Sequence, residues 1–167
     1  MKNIFVLSAL GFSCGLPYML VFSTLSAWLR DAGAALTVIG FISWAALTYS
    51  LKFLWSPFVD RIKMPLNQVV GQRRSWILMM QLLILILIMM MSQFDPISSL
   101  NFIVITAVLI AFFGSLQDIA VDAYRIELVS LAEQGNLAAS YQFGYRLSIL
   151  VATSLALIIA DFVSWQI

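Results

Sequence analysis

Apolar residues fill five stretches of the chain, Ile4 to Leu29, Thr37 to Val59, Ser75 to Phe94, Leu100 to Ile126 and Ala138 to Ala160. Polar residues collect in the connections between them, Arg30 to Leu36, Asp60 to Arg74, Asp95 to Ser99 and Glu127 to Leu137. Each apolar stretch has about the 20 residues needed to cross a hydrocarbon core, with some to spare for tilt. The pattern predicts an all-α membrane protein of five transmembrane helices.

Basic residues orient these spans. The second connection carries Arg61, Lys63, Arg73 and Arg74, the first offers only Arg30 and the third offers none. By the positive-inside rule the second connection is cytoplasmic, the amino terminus with Lys2 is inside, and the end after Ala160 is outside. Trp28, Trp55, Trp76 and Trp165 fall near span ends, as expected of an interfacial aromatic belt. The first span is too long for a signal peptide and lacks a good cleavage pattern around Gly11, Gly15 and Pro17, so it reads as a retained span.

Composition agrees and narrows the chemistry. The chain is 62% hydrophobic and 10% charged, more apolar surface than 167 residues of a soluble protein could hide. Cys14 is the only cysteine and there is no histidine. No intramolecular disulfide or cysteine-based metal site follows, no cofactor or metal is expected, and proton chemistry falls to carboxylates. Nothing points to nucleic acid; the expected surroundings are membrane lipid.

The exceptions inside the apolar stretches carry the candidate chemistry. Asp118 and Asp122 lie one helical turn apart in span four, where each carboxylate costs roughly 2.5–3.5 kcal/mol near the centre of a bilayer. Counting 1.5 Å per residue from the cytoplasmic ends puts Lys52 about 10 Å in, Asp118 and Arg146 about 12 Å and Asp122 about 6 Å. Two cations and two anions on three helices share one layer, and pairing across helices, as between Asp118 and Arg146, would remove most of the burial cost. Structural scaffolding and function both fit such a layer.

Faces add to this. Ala107, Ala111, Gly114, Asp118, Asp122 and Arg125 form one stripe on span four, and Ser8, Gly11, Gly15, Tyr18, Phe22 and Ser26 form another on span one. Gly11 and Gly15 read as a small-xxx-small helix contact. On span two Trp44, Thr48 and Lys52 share a face with Tyr49 beside it, a combination able to stack on and hydrogen-bond an anionic solute, or simply to fill the bundle. Arg125, Glu127 and Glu133 are expected at the solvated rim. An aspartyl-protease-like dyad is disfavoured, because both aspartates sit on one helix behind Gln117 and Val121 rather than glycine. The chain is not read as an enzyme.

Asp60-Arg61 followed by Gly71-Gln72-Arg73-Arg74 resembles the signature loop between the second and third helices of the major facilitator superfamily, with Ser56 in place of the leading glycine and a widened gap. A narrower resemblance runs over Gly15-Leu16-Pro17-Tyr18, Lys52 to Pro57, Gln117 to Ala123 and Gly144-Tyr145-Arg146. These strings look like the AmpG-type muropeptide permeases, and Gln117 to Asp122 is also similar to the related acetyl-coenzyme A transporters. The resemblance implies most of the amino-terminal six-helix half of a twelve-helix carrier in a bacterial inner membrane. That carrier would import anhydro-muropeptides with protons. It implies a cytoplasmic gate loop of Asp60, Arg61, Gly71, Arg73 and Arg74, while depth and side-chain chemistry point to solute contacts at Lys52, Arg146, Trp44, Tyr49 and Tyr18 and proton coupling at Asp118 or Asp122. Alternatives are acetyl-coenzyme A or another anionic solute on the same fold, or a truncated remnant. Five spans have no second half to rock against, so a carboxy-terminal half or another chain is expected as partner.

Overall fold

The structure, a computed structural model, describes residues 2–129, 133–163 and 165 and carries no strand among them. Its long helices are α1 (Asn3–Asp31), α4 (Gln72–Met91), α5 (Leu100–Leu128) and α6 (Gln134–Phe162), each long and apolar enough to cross a membrane. Between α1 and α4 lies a bent pair, α2 (Leu36–Ser50) and α3 (Lys52–Arg61), which makes a fifth span if the two are taken together. The chain is a multi-pass membrane protein.

The second span differs most from the uninterrupted stretch expected. α2 tightens to a 3₁₀ turn at Ser43–Ala46, and α2 and α3 meet at 52° across Leu51. Pro57 inside α3 has no amide to close on the Phe53 carbonyl four residues back, so the hydrogen-bond ladder is weakest just after the break. Lys52 is consequently the first residue of α3. The positive end of a helix disfavours a cation there, and nearby carboxylates must offset it.

α5 is central and touches every other long helix. Small residues permit this. Ala107, Ala111 and Gly114 are buried along one side, and the polar stripe continues through Asp118 and Asp122. Two apolar clusters lie at opposite ends of the bundle, one around Trp76, Met80, Ala120 and Val121, the other around Val21, Leu25, Trp28 and Ile103. In lipid the apolar effect does not press helices together, so close packing and hydrogen bonds must. The tightest packing is between α1 and α6. The Gly11 Cα lies against the Tyr141 backbone, that of Gly144 against the Ser8 backbone, and Gly15 against Ser148 and Tyr145.

π-helical turns interrupt both of these helices, at Leu20–Thr24 in α1 and Val151–Leu155 in α6. The two turns touch, and the Thr24 hydroxyl donates to the Ala152 carbonyl at 2.6 Å. Three of the tryptophans are not a lipid-facing belt. Trp28 and Trp76 are buried, and Trp55 packs edge-on against Phe112 at 5.3 Å.

Glycine sets both ends of the bent span. α1 closes in a Schellman motif, with Gly33 at φ 85°, its amide on the Arg30 carbonyl and the Ala34 amide on the Leu29 carbonyl. Gly71, at φ 88° and ψ 160°, starts α4 in a region almost closed to other residues. Gly71→Ala is expected to cost about 1–3 kcal/mol, read as a lower unfolding midpoint in detergent. Gly40→Ala, where an added methyl has no neighbour within 4 Å, is the matched control.

Candidate functional site

Three helices and the bend in the second span build a charged cluster inside the bundle. The Lys52 ammonium donates to Asp118 Oδ2 at 2.6 Å and to Asp122 Oδ2 at 3.2 Å. The Tyr141 hydroxyl of α6 donates to the other Asp118 oxygen at 2.7 Å. Asp122 Oδ1 also lies 3.5 Å from the Arg125 guanidinium, which stands 5.8 Å from the centre of the Tyr141 ring. One lysine sits between two carboxylates, closed by a phenol and flanked by an arginine, so each charge has an opposite charge beside it. That is how charge is tolerated at this depth.

Asp118 therefore meets Lys52 and Tyr141. The pairing considered between Asp118 and Arg146 is absent, and the Arg146 side chain is exposed and outside the cluster. Equal depth does not put two residues on facing sides of their helices. Trp44 is also outside, exposed and stacked edge-on with Phe41 at 5.6 Å. The 3₁₀ turn and the break at Leu51 shift the phase of α2, so Trp44 and Lys52 do not share one continuous face.

Tyr18 and Tyr49 do come together. Their rings meet edge-on with centroids 5.0 Å apart, Tyr145 lies 6.5 Å from Tyr18, and Tyr141 6.2 Å from Tyr145. This chain of phenols leads from α2 through α1 and α6 to Asp118. The Tyr49 hydroxyl is buried beside Gly114 and has no hydrogen-bond partner among the described residues. A buried hydroxyl with spare capacity is costly unless a water or solute completes it.

A cavity of about 450 Å³ opens beside the cluster between α3 and α5. Lys52 and Asp122 line one end, and Asp60, Arg73 and Glu127 line the other. There Arg73 donates to Asp60 at 2.5 Å and to Glu127 at 2.9 Å, tying the ends of α3 and α5 to the start of α4. The Ile62 carbonyl accepts from Gln72 and from the Trp76 indole, which anchors the loop from the same turn. Of the five loop residues singled out, Asp60 and Arg73 join this latch and Gly71 shapes it. Arg61 forms no ion pair among the described residues, and Arg74 turns toward Tyr124.

Sequence reasoning missed Tyr141, Tyr145 and the role of Glu127. Tyrosines in an apolar helix read as packing. The available signal was their spacing of one turn, on either side of Gly144, along the buried line Leu137, Tyr141, Gly144 and Ser148. A second polar tie lies deeper, where Gln81 and Gln117 both donate to the Ser13 hydroxyl at 2.7 and 3.0 Å. No group of three metal-ligating side chains occurs among the described residues.

Comparison with known sequences fits this architecture. The sequence profile of the family described as Acetyl-coenzyme A transporter 1 matches residues 3–164. The "Anhydromuropeptide permease" of Escherichia coli K12 is 41% identical over 162 residues, 96% of this chain and 32% of that protein. An uncharacterized protein of Haemophilus influenzae is 36% identical over 165 residues, 99% of this chain and 38% of its own length. The chain thus spans 32% and 38% of the length of these relatives. With a profile match over nearly its whole length, the chain belongs to the acetyl-coenzyme A transporter family.

Proposed function

We propose that this chain supplies the solute- and proton-handling helices of a secondary carrier that brings anhydro-muropeptides across a bacterial inner membrane. The amino terminus and the latch would face the cytoplasm, and the solute would move inward with protons. The observation that carries the reading is Lys52 held between Asp118 and Asp122 at the edge of a cavity that runs to the latch. Muropeptides carry carboxylates, and the Lys52 ammonium is the cation a carboxylate would meet there. While both aspartates are ionised they occupy it. A proton arriving through the cavity meets Asp122, neutralises one competitor and frees a donor for the solute. Asp118, closed in by Tyr141 and Lys52, would hold the lysine in place. Tyr18 and Tyr49 would flank the sugar, with the unpartnered Tyr49 hydroxyl as a hydrogen-bond donor. Arg146 and Trp44 would act only from the outer surface of this half. The 41% identity to a protein named for anhydromuropeptides favours this solute over acetyl-coenzyme A, the solute in the family's own description.

The test is uptake of labelled anhydro-muropeptide by cells that lack their own permease and carry the native product containing this sequence. Uptake should collapse with a protonophore, and Asp122→Asn should reduce it to background while the protein remains in the membrane. Uptake of acetyl-coenzyme A in place of muropeptide would replace the solute. Uptake by Asp122→Asn that stays wild-type and protonophore-sensitive would remove Asp122 from the coupling.

A further inference from the structure

We propose that α3 is a lever that carries the charge state of the Lys52 cluster to the Asp60–Arg73–Glu127 latch. Among the described residues, ion pairs tie α3 to its neighbours only at its two ends. Lys52, its first residue, is held by Asp118 and Asp122 of α5, and Asp60, one residue from its end, is held by Arg73 of α4. Between these ties a cavity separates the side of α3 that bears Lys52, Ser56 and Asp60 from Ile119, Ala123 and Ile126 of α5. No packing bridges that gap, so the two ends set the tilt of the helix.

The pivot is Leu51. Its amide closes on the Leu47 carbonyl and its carbonyl accepts from the Leu54 amide, so one hydrogen-bond ladder ends and the next begins at this residue. Hinges are commonly element ends of this kind. Two buried donors flank the pivot, the Tyr49 hydroxyl before it and the Trp55 indole nitrogen after it, and neither has a partner among the described residues. An unmet interior donor favours any second position of the segment that completes it. Asp60 lies eight residues from Lys52, about 12 Å along the helix, so a tilt of about 10° moves it by about 2 Å, enough to part a hydrogen bond.

The tilt is set from Asp122. This carboxylate faces Lys52 across from α3 and Arg125 on its own helix, while Asp118 and Tyr141 hold the lysine from the other side. With Asp122 neutral the ammonium is drawn toward Asp118 alone, and α3 turns with it. The inference rests on the carrier reading above only in taking a proton as the agent that neutralises Asp122. Linkage makes the effect reciprocal, so freeing Asp60 must loosen the Lys52 end.

The experiment is hydrogen–deuterium exchange, read by peptide mass spectrometry, on the native product containing this sequence in lipid nanodiscs, without solute or gradient. Asp122→Asn should speed exchange over residues 62–70 roughly fivefold or more, the low end of allosteric couplings, while Asp122→Glu, which keeps the charge, should stay near wild type. Asp60→Ala should speed exchange over residues 49–54. Glu127→Ala also strips one carboxylate from Arg73, but from α5, and should leave 49–54 unchanged. Wild-type exchange over 62–70 in Asp122→Asn would overturn the lever. So would equal effects of Asp60→Ala and Glu127→Ala on 49–54, which would put the coupling in α5. Uptake that depends on Asp122 without the exchange response removes the lever and leaves the carrier reading; the exchange response without uptake does the reverse.

Discussion

Gly144→Ala is expected to destroy the α1–α6 seam and with it the folded protein. An added methyl at Gly144 would overlap the Ser8 carbonyl oxygen and press on the carbon behind it, and one at Gly11 would overlap the Tyr141 carbonyl. Both obstacles are backbone atoms in regular helices, which cannot rotate aside. Overpacking costs about 1–3 kcal/mol where side chains can yield, and more where they cannot, so about 3 kcal/mol or more is expected at either glycine. Gly15→Ala meets the Ser148 hydroxyl, which can turn, and should cost less. Gly135→Ala meets nothing within 4 Å and should be silent. The measurement is the fraction of monodisperse protein recovered in detergent and its unfolding midpoint. Equal behaviour of the four variants would mean that the helices do not approach as described.

The second large effect is at Lys52. Lys52→Met removes the one cation that both aspartates share and leaves Asp118, with only Tyr141 donating to it, at 17% side-chain exposure. Orphaning one member of a fully buried pair costs about 3–5 kcal/mol; Lys52 is 39% exposed, and solvent screening reduces the expected loss to roughly 2 kcal/mol. Adding Asp118→Asn should restore most of that stability, because the amide oxygen still accepts from Tyr141 and the unpaired charge is gone. Transport should stay absent in the double variant. Arg146→Met should leave stability unchanged, and exchanging Asp118 with Arg146 should rescue nothing. A double-mutant cycle in an unfolding assay decides between the two pairings, since only residues in contact couple strongly. Coupling of Asp118 to Arg146, with none to Lys52, would reverse the assignment.

Much of this fold can be read from the chain because a bilayer is strict. Backbone groups must be satisfied internally, so long apolar stretches become helices, and α1, α4, α5 and α6 lie over four of the expected stretches. The break at Leu51 falls inside one of the expected spans, between Ser50 and Lys52, where no polar connection marks it. Its trace is Pro57, which acts several residues upstream of itself. Lys52, Asp118 and Asp122 announce themselves as charges where charge is expensive. Their grouping also follows from depth, a quantity that counting along a helix supplies. Arg146 has the right depth and the wrong azimuth, and azimuth depends on how α6 is rotated against α1. That rotation is set by Gly11 and Gly144, whose contacts are non-local. Tyr141 follows the same rotation inward and Arg146 follows it outward.

The paired π turns have a consequence for how these helices tolerate change in length. Each π turn holds one residue more than an α turn closed at the same height. A single deletion within Leu20–Thr24 or Val151–Leu155 can be absorbed by tightening that turn, and the outer segments keep their faces. A deletion within α4, which has no such slack, would swing all later residues by about 100° and turn the buried line of Trp76, Met80 and Ile84 toward lipid. Insertions and deletions that survive in this chain should therefore concentrate in these two turns and the loops. Because Thr24 ties one turn to the other, a change of length in α1 should bring a matching change in α6.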